Sequence, residues 1–203
     1  MLITFEGLDS SGKTTQANRL VQACEDAGKD VVFLREPGGT EVSERIRGIL
    51  LDKELMTLAP ETELLLFSAA RAQLVHEVIC PALRTGKIVV CDRFFDSTTA
   101  YQGFGRGLDM NEVQTLNRIS TSGTEPDLTF FVDVDLREIQ RRRKTLGIMA
   151  DRIESAGEQF FSKVLDGYRT IAKTESHRVV TINGMRNIEE IHQEIWNIVR
   201  QKF

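Results

Sequence analysis

The 203-residue chain predicts an α/β fold in which a five-stranded parallel sheet is flanked by helices. Three observations predict it. Short apolar runs alternate with longer segments of helical periodicity, the pattern of successive β–α units. The runs are nearly continuous in Val, Ile, Leu and Phe, as in strands covered on both faces. The first run leads directly into Gly7-Leu8-Asp9-Ser10-Ser11-Gly12-Lys13-Thr14, the spacing of a phosphate-binding loop that joins a strand to a helix.

Leu2–Glu6 is the first strand. Lys13–Ala27 follows the loop as a helix, with Gly28 just past its end, where a C-terminal glycine belongs. Val31–Arg35 is the second strand, followed by helices over Glu41–Leu51 and Glu61–Thr85. Ile88–Asp92 is the third strand, Asn111–Ser122 a helix, and Leu128–Asp133 the fourth strand. Helices over Leu136–Leu146 and Glu158–Thr174 lead to the fifth strand, Val179–Asn183. The last helix, Ile188–Gln201, starts at an Asn187/Glu190 capping-box pattern and repeats Ile191, Ile195, Ile198 and Val199 at helical spacing. No repeat, linker or low-complexity segment divides the chain. Residues 1–203 are expected to form one domain, including a small lid segment over about 141–157.

Composition narrows the partners. Hydrophobic residues make up 41% of the chain, charged residues 28%, and the net charge is −4. A duplex-binding protein would carry a basic surplus, so nucleic acid is not an expected partner. No run of 18 apolar residues suggests a membrane span, and the N-terminus enters a strand without a secretory signal. Cys24, Cys80 and Cys91 match no metal spacing and point to a reduced, cytoplasmic setting. His76, His177 and His192 are scattered and read as structural or surface residues.

The phosphate loop carries the first chemistry. Its glycines let successive N–H groups converge on phosphate oxygens, and the following helix points its positive end at the same place. Gly7, Leu8, Asp9, Ser10, Ser11, Gly12, Lys13, Thr14 and Thr15 are therefore the expected cradle of a nucleoside triphosphate such as ATP. Lys13 would reach the β/γ-phosphates, and Thr14 would hold Mg²⁺.

Ligands in open parallel sheets bind beyond the carboxyl ends of the strands. The third strand ends in Asp92-Arg93, and four apolar residues before Asp92 give it the form of a Mg²⁺-linked carboxylate; a cap or turn role is the alternative. Arg93 would be costly beside the phosphate site without an anion, and its planar fork suits an acceptor phosphate. A phosphate monoester is mostly dianionic at neutral pH and needs no general base, whereas an alcohol acceptor would be served by a positioned Asp. The many arginines favour the phosphate acceptor.

A second arginine supply lies in the lid. Arg137, Arg141, Arg142, Arg143, Lys144 and Arg152 face only Glu138 and Asp151. They form either a solvated helix face or a mobile charge that closes over the transferring phosphoryl group. Arg143 lies seven residues beyond Leu136 and four beyond Ile139, on the face expected to meet the sheet. Arg142 and Lys144 flank it less favourably, and Arg141 is turned furthest away. Gly147-Ile148-Met149-Ala150 reads as the flexible tip.

Phe5-Glu6-Gly7-Leu8-Asp9, Arg35-Glu36-Pro37-Gly38-Gly39-Thr40 and Phe67-Ser68-Ala69-Ala70-Arg71-Ala72-Gln73 resemble thymidylate kinases. So do Asp92-Arg93-Phe94 through Ser97, Ala100-Tyr101-Gln102, Asp151-Arg152-Ile153-Glu154, Phe160-Phe161 and Gly167-Tyr168, in family order over essentially the whole chain. The resemblance implies a P-loop nucleoside monophosphate kinase fold and transfer of the ATP γ-phosphate to dTMP, with Mg²⁺ as cofactor and a homodimer as the assembly. It implies that Phe67, which in Leu64-Leu65-Leu66-Phe67 would by default be core, stacks on thymine. Arg71 would then donate to the base O4, and Gln102, Ser97 and Thr98 would make polar contacts around the ring. Tyr101 would sit against the deoxyribose, Arg47 and Arg93 would hold the dTMP phosphate, and Asp9 and Glu36, beside Pro37, would lie near the sugar and metal. Ser10 stands where the eukaryotic branch has an arginine, so the chain resembles the bacterial type, whose lid supplies the catalytic arginine. Arg143 and Arg152 are the two candidates, beside Lys13, Asp9 and Arg93 as catalytic residues, with Arg141 on the ATP side. For the homodimer, the helix Glu61–Thr85 has Leu64, Leu65, Leu74, Val75, Val78 and Ile79 to divide between core and interface.

Overall fold

A computed structural model describes residues 1–147, 151–153 and 155–202. The strands are β1 (Leu2–Glu6), β2 (Val31–Arg35), β3 (Ile88–Asp92), β4 (Leu128–Asp133) and β5 (Val179–Asn183), with the bounds read from the sequence. All pair in parallel, in the order β2-β3-β1-β4-β5. The central position of β1 aligns its end with those of β3 and β4: Phe5 lies opposite Asp92, and Glu6 opposite Phe131. Burial on both faces holds for β1, β3 and most of β4. The outer strands depart from it: β2 and β5 are partly exposed, and Phe33 is 38% accessible, because an edge strand has a neighbour on one side only.

The helices are α1 (Lys13–Asp26), α2 (Glu41–Leu51), α3 (Pro60–Arg84), α4 (Phe95–Thr98), α5 (Met110–Ser120), α6 (Leu136–Leu146), α7 (Glu158–Thr174) and α8 (Ile188–Val199). Alternation along β1 sends Ile3 and Phe5 to one face, where they pack with Leu20 of α1 and Ile195 of α8. Leu2 faces the other way, against Leu74 and Ile79 of α3, and β4 meets Val164 and Tyr168 of α7 on that same side. Glu6 shares the second face and is fully buried.

Helix α3 widens to a π-turn over Val75–Ile79, just before Pro81, whose ring and missing N–H disturb the regular ladder. Its 25 residues include a window of mean hydropathy 1.2, long and apolar enough to cross a membrane by composition. Leu74, Val75 and Ile79 use that apolar surface in the core, and the same helix buries Glu63 and Arg71. Asn187 caps α8, accepting from Glu190 N at 2.9 Å, as its pattern predicts.

The sequence gives no element over Phe95–Gly105, yet α4 continues there into a π-helical stretch, Thr99–Gly105. Glycines on both sides of its contact with α7 serve packing. A Cβ on Gly105 would lie 2.6 Å from Phe160, and one on Gly167 would lie 2.8 Å from Phe104. The two glycines let this segment and α7 pack closely, which carries Tyr101 and Tyr168 to the end of β1. The expected lid tip lies outside the described residues at 148–150, as does Glu154. Before the tip, α6 ends at Gly147 in the left-handed conformation.

Candidate active site

Two cavities meet at the phosphate loop. One of about 680 Å³ runs along Ser10 to Gln16 and is walled by Arg141, Arg142 and Thr145 of α6 and by Gly184, Met185 and Arg186 after β5. The other, of about 390 Å³, lies beyond β1, β2 and β3. It is lined by Asp9, Ser10, Glu36, Pro37, Arg47, Phe67, Arg93, Ser97, Thr98, Tyr101 and Gln102, together with Leu51, Asp151 and Ile153. Ser10 lines both.

The loop is shaped by close approach. Gly7 runs so near β4 that a Cβ there would lie 2.7 Å from Val132 O, and Gly12 turns into α1 at φ 99°. Lys13 Nζ donates to Asp9 Oδ1 at 3.0 Å and points back over Leu8 O. Thr14 Oγ1 donates to Asp92 Oδ2 at 2.5 Å. Asp92 Oδ1 is buried with no hydrogen-bond partner among the described residues. A hydroxyl and a buried carboxylate with a free oxygen suit Mg²⁺, a hard cation that keeps its remaining positions for water and phosphate. Asp92 therefore fits the metal reading better than the cap reading.

Arg93 is the centre of the second cavity. Its backbone is left-handed, φ 76°, a conformation that costs a branched or long side chain on the order of 1 kcal/mol. Nη2 donates to Asp9 Oδ1 at 2.8 Å and to Tyr101 OH at 3.3 Å; Nη1 donates to Ser97 Oγ and Tyr168 OH, each at 3.0 Å. Burial opposes its charge, but Asp9 holds the guanidinium firmly protonated. Burial likewise raises the Asp9 carboxyl, and the Arg93 and Lys13 cations overcome it, leaving Asp9 well below the usual carboxylate range. Arg47 differs. Burial and the neighbouring Arg35 both press its guanidinium down, so an anion beside it is favoured. It donates to Pro37 O at 3.0 Å on the cavity wall.

Arg71 stands behind this wall rather than in it. It is 2% exposed, and four of its five N–H donors serve Glu36 Oε2 (2.8 Å), Thr98 Oγ1 (2.9 Å), Phe94 O (3.3 Å) and Asn117 Oδ1 (3.4 Å). It positions Glu36 and Thr98, both of which line the cavity. Burial raises the Glu36 carboxyl despite that partner. Phe67 is partly buried: it packs against the core and also lines the cavity, so core packing and a ring face toward the cavity coexist. Gln102 Nε2 donates to Glu63 Oε1 at 2.8 Å, which fixes its amide at the cavity edge.

The lid arginines separate. Arg143 lines a small space of about 210 Å³ with Leu8, Asp9, Gly157 and Phe161, on the inward face its spacing predicts. Arg152 does not join the phosphate loop. It is buried, with Nη2 2.7 Å from Glu63 Oε2 and Nε donating to Leu50 O at 2.9 Å. The Arg152 guanidinium thus faces Glu63, and of the two lid candidates Arg143 is the one beside the phosphate loop. Arg141 lines the larger cavity, as expected for the triphosphate side, while paired with Glu138. Arg142 is the residue undervalued in the sequence. Its Nη1 donates to Ser11 O at 3.0 Å and its Nη2 to Gly184 O at 2.8 Å, bridging the loop to the end of β5. Its place three residues after inward-facing Ile139 was the available signal. Arg186 escaped the sequence reading, and Glu6 and Tyr168 entered it only within family-like motifs, with no role, because the relevance of all three arises from tertiary neighbours.

The chain is similar to known proteins over nearly its whole length. The thymidylate kinase family model matches residues 5–195. A thymidylate kinase of Chlorobium luteolum is 47% identical over 211 residues, covering all of this chain and 98% of that protein. One of Kosmotoga olearia is 47% identical over 195 residues, covering 96% and 93%. The crystal structure of a thymidylate kinase from Ehrlichia chaffeensis matches with a TM-score of 0.80 at 38% identity, covering 98% of both chains.

Proposed function

The chain belongs to the thymidylate kinase family, and from that premise we propose that it transfers the γ-phosphoryl group of ATP to dTMP, releasing dTDP and ADP. The observation that carries the reading is the meeting of two cavities at Ser10, one along the phosphate loop and one around Arg93. ATP takes the larger cavity, with its triphosphate on Gly7–Thr15 and with Arg141 and Arg142 along its flank. dTMP takes the smaller. Phe67 offers the thymine a ring face, Tyr101 packs against the sugar, and Arg47 and Arg93 hold the phosphate.

The dTMP phosphate is its own nucleophile, being mostly dianionic at neutral pH. No residue has to take a proton from it. That agrees with Asp9, which is too strongly held as a carboxylate to serve as a general base and instead ties Lys13 to Arg93. Lys13 and Arg143 face the group in transfer from the donor side and Arg93 from the acceptor side, so charge builds up among fixed cations. Thr14 and Asp92 would hold Mg²⁺, which supplies further neutralisation of the phosphate oxygens. Arg152 anchors the lid base to Glu63.

Comparison of ADP release with dTMP, dUMP, dCMP, dGMP and AMP tests the acceptor. Strong preference for dTMP is expected, and equal turnover with the other monophosphates would refute it. The enzyme is a homodimer in the cytoplasm in this reading. Free Cys24, Cys80 and Cys91 support the compartment. For the dimer, α3 packs against α2 and α5, and these helices expose Leu65, Ile49 and Ile119. Sedimentation equilibrium should give twice the 22.9 kDa chain mass; a monomer would contradict it.

A further inference from the structure

Glu6 is a buried acid for which the chemistry above has no use. It has no accessible surface, so it touches neither substrate. Its oxygens nevertheless reach both ends of the residue expected to grip the acceptor phosphate. Oε1 accepts from Phe94 N at 2.7 Å, the amide immediately after Arg93, and so holds the chain where Arg93 takes its left-handed turn. Oε2 accepts from Ser97 Oγ at 2.6 Å and from Tyr168 OH at 3.0 Å, and these are the two hydroxyls that accept from Arg93 Nη1.

We propose that Glu6 is the positioning residue that sets the backbone and guanidinium of Arg93 for the acceptor phosphate. When ionised, the Glu6 carboxylate only accepts hydrogen bonds, so it draws hydroxyl hydrogens from Ser97 and Tyr168 toward itself. Their lone pairs are thereby left for Arg93, and the guanidinium fork is fixed in one orientation before the phosphate arrives. Arg93 is turned by backbone strain and held by this carboxylate on one side and Asp9 on the other. Asp9 lines the cavity, whereas Glu6 works entirely from behind it. Burial, and next the nearby Asp96 carboxylate, push the Glu6 carboxyl up to about 7, while Arg93, Ser97 and the Phe94 amide oppose the rise.

The inference rests on the dTMP kinase reading, and binding calorimetry on the full chain separates the two. Glu6→Gln keeps the shape and removes the charge. It should weaken dTMP binding at least tenfold while thymidine, which lacks the phosphate, and ATP each change less than twofold. In an Arg93→Ala background, Glu6→Gln should weaken dTMP binding no further. Equal loss for thymidine, unchanged dTMP binding, or full additivity with Arg93→Ala would overturn the proposal. Tyr168→Phe keeps the ring stacked on Phe131 and removes one of the two relays. It should cost about threefold in dTMP binding alone, and it decides the matter if Glu6→Gln does not fold. If the wild type failed to phosphorylate dTMP, the acceptor reading would fall. The same comparison, made with the monophosphate it does use and the matching nucleoside, would still decide the role of Glu6.

Discussion

At the scale of single residues, the site trades stability for a fixed arrangement of charge. Glu6 shows the trade most clearly, because its carboxyl is pushed from 4.5 to about 7. Between those values the folded protein keeps a proton that the unfolded chain has released, so the group's contribution to stability falls as pH rises through 7. The cost of the buried charge is fully present above that point, on the order of 3 kcal/mol. Asp96 adds to it, and Arg93, Ser97 and the Phe94 amide offset part of it. The melting temperature of Glu6→Gln relative to the wild type should therefore be more favourable at pH 8 than at pH 5.5. A difference that stays constant across this range would show that Glu6 does not titrate there. The sequence marks Glu6 only as the end of a strand within a family-like stretch and gives it no role, since the residues that do so lie 88 to 162 positions away. Lys13 and Thr14 stand in a contiguous loop motif and Arg93 directly follows a strand, so a local pattern points to them whatever their partners.

Among the elements, the lid divides its work between two arginines that the sequence left as equal candidates. Helix α6 presents Arg143 toward Asp9, whereas Arg152, beyond the tip, is locked onto Glu63 of α3, which also takes Arg106 and Gln102. Arg143→Ala should lower kcat by about a hundredfold or more. Arg152→Ala leaves Glu63 one cation short and should lower the melting temperature by roughly 4–8 °C, corresponding to about 2 kcal/mol. The reverse pattern in steady-state kinetics and thermal melts would contradict this division. The strands were readable to the residue because each is a short apolar run bounded by charged or polar positions. The Phe95–Gly105 segment was not, since its Gly105 answers to the approach of Phe160 and Gly167 of α7 to that of Phe104, a tertiary demand that no local pattern carries. The base contact that the resemblance implies for Arg71 carries no information on its neighbours in the fold, where Glu36, Thr98, Phe94 O and Asn117 take four of its five N–H groups.

For the molecule as a whole, the decisive arrangement is one loop serving two cavities at the carboxyl edge of a parallel sheet. Alternation of strands and helices announces the parallel sheet, and the glycine loop after β1 announces the donor side. The order β2-β3-β1-β4-β5 is not written in any local pattern. It places β1 between β3 and β4, and so brings Arg93 next to Asp9, 84 positions away. Transfer across that junction, from the γ-position of ATP to the phosphate of dTMP, is the central claim. Its most direct test is to follow an isotopic label from the γ-phosphate of ATP by phosphorus NMR during turnover with dTMP. The label should appear in the β-phosphate of dTDP, in step with ADP. Label recovered only as inorganic phosphate, or attached to a sugar hydroxyl, would contradict it.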